Sequence, residues 1–201
     1  MLAWLNKEST RVVTHEEYMK VYQQIIYQCD TEDNNERVLD IFEEFVTEYL
    51  DQHVMSRLRR EHDLQLLVNA VDRWDAYTLY SKMMEKSFEY LNRYYLRNNT
   101  LELVGERCMK RFTEQVFFMD ELQKKITDAI LEQIKAGREG KSFEKELVKK
   151  AISVYVDIGL IKPRPMRTPD GLFLWQGDRS LSEYETHFET AFLDSTLKQS
   201  M

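Results

Sequence analysis

Metal binding and nucleophilic or acid–base catalysis are the chemistries the polar side chains of this chain could support, and the spacing of the candidates supports neither. Four histidines, His15, His53, His62 and His187, never fall at the i, i+4 separation that two ligands on one helix face require. Cys29 and Cys108 form no CxxC and have no histidine pair nearby, which leaves neither a zinc motif nor a disulfide framework. No cofactor is expected. Glycine-rich phosphate loops and the GxSxG nucleophile turn are absent, and Gly137 and Gly140 make only a GxxG between helical stretches, which is turn chemistry. Acidic residues such as Asp40, Glu43 and Glu44, or Glu183 and Glu185, are spaced like solvated helix faces, not paired catalytic carboxylates. The expectation is a protein without a catalytic site of its own.

Charge points the same way. Among 201 residues, 28 lysines and arginines stand against 35 aspartates and glutamates, a net charge of −7 that disfavours a broad nucleic-acid surface. Arg57, Arg59 and Arg60 with His62 end a predicted helix, where positive charge complements the helix dipole. Arg107, Lys110 and Arg111 form a second basic group. No apolar run approaches the roughly 18 residues of a membrane span, and Met1 to Arg11 lacks a signal-peptide core. With two unpaired cysteines, the chain is expected in cytoplasm and nucleus.

The elements that would position any site are helices. All three prolines fall at 163, 165 and 169, and the first glycine is Gly105, so residues 1–104 contain neither breaker. Because proline and glycine cost about 3 and 1 kcal/mol inside helices while strand proteins need turn residues at short intervals, the fold class is all-α. Helices are expected at Val38 to Leu58, Leu64 to Tyr80, Lys82 to Arg97, Leu101 to Phe118, Glu121 to Ala136 and Phe143 to Ile158. The division between Tyr80 and Lys82 is placed there because Trp74-Asp75-Ala76-Tyr77-Thr78 is a weak helix former. Gly137 to Gly140 breaks the fifth helix from the sixth, and Gly159 closes the latter. Residues 162–179 read as a loop in which Phe173 and Trp175 either pin the connection to the bundle or face a partner. A last amphipathic stretch, Leu181 to Leu197, sets Tyr184, Phe188, Ala191, Phe192 and Ser195 on one side.

One helix carries more apolar surface than a core contact needs. Thr14 and Glu17 form a Thr-x-x-Glu capping box that starts it. Around the helix its apolar arc runs Val21, Ile25, Tyr18, Cys29, Tyr22, Ile26 and Met19, with Val21, Ile25 and Cys29 toward one edge and Tyr22, Ile26 and Met19 toward the other. The arc spans about 160°, against the stripe of a little over 100° that a helix lying on a core requires. The first edge is compact and suits a core. The second, with Tyr18, carries rings with polar tips and an adaptable thioether, which interfaces favour. Pattern alone leaves two readings of the Tyr18, Tyr22, Ile26 ridge open, a packed core helix and a binding surface.

The segment TRVVTHEEYMKVYQQIIYQC (10–29), followed by FEYLNRYYLRNN (88–99), resembles the N-terminal region of cullins, and is most similar to the class that carries F-box ligases. The likeness continues through ITDAILEQIKAGREGKSFEKELVKKAISVYVDIGL (126–160) and YETHFETAFLDST (184–196). This resemblance implies an elongated helical bundle of cullin-repeat type. Residues 1–100 would be a first, adaptor-binding repeat, 101–201 a second with the loop at 162–179, and 181–197 the opening helix of a further one.

It also implies a function: a non-catalytic scaffold of a cullin-RING E3 ubiquitin ligase, SCF-like, acting in ubiquitin-dependent protein catabolism. A Skp-type adaptor with its F-box protein is the implied partner, with a BTB-domain protein as the alternative. In the family the adaptor faces the second and fifth helices, which map here onto Glu16 to Cys29 and the segment through Tyr95. The implied contacts are Tyr18, Met19, Tyr22 and Ile26 on the first, and Asn92, Tyr94 and Tyr95 on the second. The first helix of the family looks clipped, and 162–179 looks longer than the matching connection. The C-terminal domain that binds the RING subunit is not in this sequence, so that partner enters only with a longer form. The expected alternatives are an N-terminal fragment and a short cullin-like protein that sequesters adaptors without ligase output.

Overall fold

The computed structural model describes residues 14–30, 34–117, 119–159, 166–167, 173–174 and 188–199. Its helices are α1 (His15–Cys29), α2 (Asn34–Tyr49), α3 (Ser56–Leu58), α4 (Asp63–Ser87), α5 (Glu89–Leu91), α6 (Val104–Phe112), α7 (Asp120–Arg138), α8 (Lys145–Gly159) and α9 (Thr190–Gln199). Wider π-helical turns, Leu50–Met55, Asn92–Leu96 and Thr113–Phe117, extend α2, α5 and α6. A π turn inserts one residue into the helical repeat. It lets Leu50, Val54 and Met55 all reach the interior from one such turn. The fold is all-α, with one short addition: Met166–Arg167 pairs antiparallel with Phe173–Leu174 inside the stretch expected to be a loop. Trp175 and the side chain of Phe173, expected to anchor that loop, lie outside the described residues.

Two compact units make up the chain, residues 1–49 with 75–111, and residues 50–74 with 112–201. In the first, Phe42 packs on Phe88 with ring centroids 4.8 Å apart, and Tyr77 lies 5.5 Å from Tyr80. Glu43 of α2 takes hydrogen bonds from both Arg107 and Arg111 of α6. Lys110 pairs with Glu102 at 3.0 Å. The second basic group is therefore matched by acids of its own fold.

Burial pushes the Glu43 carboxyl up, but the hydrogen bonds and charges of Arg107 and Arg111 outweigh it and hold the group below its ordinary value. A carboxyl that ionises more readily folded than unfolded contributes stability above its unfolded pKa of about 4.3, and that contribution is lost as pH falls through the folded value. Glu43→Gln is therefore expected to flatten the acid limb of stability below about pH 5. Urea midpoints measured across that range check this, and parallel limbs for variant and wild type would refute it.

In the second unit an aromatic series forms the core. Trp74 meets Phe112 at 5.7 Å and Phe117 at 5.9 Å, Phe117 meets Tyr155 at 5.7 Å, and Tyr155 meets Phe188 at 5.6 Å. The Tyr155 and Thr127 hydroxyls share a buried hydrogen bond of 3.1 Å. Arg138 of α7 lies 5.5 Å above the Phe192 ring. Phe188 and Phe192 thus share one side of the last amphipathic stretch as expected; Tyr184 and the Ser195 side chain lie outside the described residues.

One expectation is corrected. Trp74 to Thr78 does not divide two helices: α4 runs unbroken from Asp63 to Ser87, and the break falls at Phe88. Weak propensity there costs a few tenths of a kcal/mol per residue, whereas burying a large apolar side chain returns about 1.5–3 kcal/mol. Trp74 and Tyr77 are both buried, so packing holds the segment helical. The expected break between the fifth and sixth helices does fall within Gly137 to Gly140, just past Arg138. α7 passes through Gly137 to Arg138, and a Cβ at Gly137 would come within 2.6 Å of the Phe143 ring. Gly137 seats that ring, and Gly140, at φ +73°, makes the turn toward α8.

Both cysteines are buried free thiols. Burial pushes Cys29 up to about 11 and Cys108 to about 12, so neither is a reactive thiolate near neutral pH. Among the described residues no cluster of His, Cys, Asp or Glu could hold a metal ion, and no helix is long and apolar enough to cross a membrane.

Candidate protein-binding site

The site begins with a local signal. The Thr14 hydroxyl accepts the Glu17 N–H at 3.2 Å, and the Glu17 carboxylate accepts the Thr14 N–H at 3.0 Å, closing the reciprocal box that starts α1. Thr14→Ala is expected to cost about 1 kcal/mol of stability, with fraying confined to the first turn of α1. Amide hydrogen exchange along α1 measures it; unchanged protection of residues 15–18 would remove the cap from the account.

Beyond the cap, α1 divides in part as its two edges suggest: Val21, on the compact edge, is only half-buried. Ile25 and Cys29 face inward, 7% and 5% exposed, whereas Tyr18, Met19, Tyr22 and Ile26 are half-buried along the helix. The His15 ring stacks on Tyr18 at 6.5 Å and Tyr18 on Tyr22 at 6.3 Å. The Tyr18 hydroxyl donates to the Lys86 carbonyl at 3.2 Å. Lys86 is among the last four residues of α4, whose carbonyls have no intrahelical partner, so Tyr18 both satisfies a helix end and fixes its own ring. Burial, helped by Tyr22 and Glu89 nearby, raises the Tyr18 hydroxyl above its usual pKa and keeps it a donor.

The second element lies just past the break at Phe88, where α5 packs against α1. The structure separates the three residues expected there. Tyr94 is 55% exposed, with Tyr90 at 4.9 Å and the Arg93 guanidinium 5.5 Å from its ring centre, an aromatic pad on the surface. Tyr95 is half-buried and donates to Glu36 of α2 at 3.1 Å. Asn92 is interior, 1% exposed. Its amide nitrogen donates to the Glu85 carbonyl at 2.9 Å and its oxygen accepts the Val104 N–H at 3.0 Å. It thereby serves the C-terminal end of α4 and the N-terminal end of α6 together, and positions the neighbouring surface without being part of it. Sequence reasoning did not single out Tyr90, Arg93 or His15. The i, i+4 pair Tyr90–Tyr94 and the i, i+3 pair His15–Tyr18 were the signals available.

On its other flank α1 borders a groove of about 530 Å³, lined by Val21 and Ile25 together with Val38, Ile41, Phe42 and Phe45 of α2. Ile41 is 56% exposed there.

These features define a class: an all-helical protein with a partly exposed aromatic and aliphatic ridge along α1. The family model "Cullin alpha solenoid domain" matches residues 5–198, and the chain belongs to the cullin family. It is 26% identical to Cullin-1 of Oryza sativa subsp. japonica, over 90% of this chain and 22% of that relative. It is 27% identical to Cullin-like protein 3 of Arabidopsis thaliana, over 90% of this chain and 64% of that protein. Cullin-2 of Arabidopsis thaliana is 30% identical over 71% of this chain and 19% of its own length. The chain therefore spans about a fifth of Cullin-1 and just under two thirds of Cullin-like protein 3.

Proposed function

We propose that this chain is the adaptor-binding part of a cullin-RING ubiquitin ligase scaffold, and that it grips a Skp-type adaptor with a bound F-box protein through α1 and the segment ending near Tyr95. The observation that carries the reading is the ridge on α1. Tyr18, Met19, Tyr22 and Ile26 keep part of their surface in solvent while stacking and the Lys86 hydrogen bond hold the rings in place. A prepositioned ring loses little freedom on binding, so more of its buried area appears as affinity. Each apolar side chain buried contributes about 1.5–3 kcal/mol before association costs, which lets four such residues support tight binding when the partner's shape matches. The Tyr94 pad extends the surface beside the α5 contact.

The same reading takes residues 1–100 as a first cullin repeat and 101–201 as a second, in cytoplasm and nucleus, with a RING subunit belonging to a longer form. Calorimetric titration against a Skp-type adaptor carrying an F-box protein, and separately against a BTB-domain protein, tests it. Saturable binding to the first is expected. Binding to the BTB protein alone would transfer the surface to the other adaptor class, and binding to neither would overturn the scaffold reading.

A further inference from the structure

The aromatic stack on α1 does not end at the ridge. Because the Thr14 cap makes His15 the first residue of the helix, its side chain stands one turn before Tyr18 on the same face. The two rings lie 6.5 Å apart with planes 28° from parallel, and Tyr18 and Tyr22 continue the series at 6.3 Å and 13°. Exposure changes along it: Tyr18 and Tyr22 are half-buried, His15 exposed. The acidic neighbours of His15 on α1 are already engaged, Glu16 with Lys20 at 2.8 Å and Glu17 with the Thr14 N–H. The imidazole lies against the Tyr18 ring.

We propose that His15 is a further partner-contacting residue, the outermost ring of a three-ring surface in which Tyr18 and Tyr22 are the inner two. The inference rests on the adaptor-binding reading and deepens it. A ring at the accessible end of the stack meets a docked partner at its rim, where it adds flat contact area. Packing, not imidazole chemistry, is the role assigned, so any aromatic ring of similar size should serve.

Binding of a Skp-type adaptor with bound F-box protein, measured for wild type, His15→Ala, His15→Phe and Tyr22→Ala in the full chain, provides the test. His15→Ala is expected to weaken binding about fivefold while His15→Phe stays within about twofold of wild type, with helical content unchanged in both. If Tyr22→Ala loses affinity and His15→Ala does not, the inference fails and the adaptor reading stands. Equal losses in His15→Ala and His15→Phe would overturn the packing role. Wild type that does not bind defeats the adaptor reading itself, and the inference with it.

Discussion

Replacing Tyr22 with alanine is expected to weaken adaptor binding about thirtyfold, a loss of about 2 kcal/mol or more. Two effects combine. The variant loses a half-exposed ring from the middle of the ridge, and it frees Tyr18 from the stack that limits its motion. Tyr22→Phe, which keeps the ring, should bind within about threefold of wild type, because stacking area and not the hydroxyl is the argued source of affinity. Titration against the loaded Skp-type adaptor gives the affinities, and a urea midpoint for each variant separates lost contact from lost fold. Wild-type affinity in Tyr22→Ala would take the ridge out of the interface.

Asn92 produces the largest expected effect on stability. Asn92→Ala leaves the Glu85 carbonyl and the Val104 N–H without their side-chain partner in a site only 1% exposed. A buried polar group stripped of its partner costs about 1–3 kcal/mol, so a total near 2–4 kcal/mol is expected. Asn92→Asp keeps an acceptor for Val104 but loses the donor to Glu85 and introduces a buried charge, and is expected to fare no better. Urea unfolding reads both variants, and an unchanged midpoint would refute the double-capping role. The experiment also distinguishes a positioning residue from a contact: affinity lost in Asn92→Ala should track the folded fraction, whereas affinity lost in Tyr22→Ala should not.

Single residues show why one part of this molecule was readable and another was not. The Thr14–Glu17 box and the Gly140 turn were legible because each is closed within a few positions of itself. Ile25 and Cys29 were rightly placed in the core because helical period alone sets the inward edge. The continuity of α4 was missed because the forces that hold it, Trp74 on Phe112 and Phe117, act between residues about 40 positions apart, and propensity sums cannot contain them. Asn92 was grouped with surface residues because nothing in YLNRYY reveals that Glu85 and Val104 will present unpaired backbone groups to it.

Composition and period alone therefore settle the helical class, the capped start of α1 and the excess of apolar surface along it, since these follow from backbone propensities and from spacing within one helix. Which rings lie half-open, which hydroxyl closes the end of α4 and which asparagine turns inward are decided when distant segments meet. Burial and hydrogen-bond satisfaction belong to the surroundings a side chain acquires on packing, and those surroundings come from residues far away along the chain.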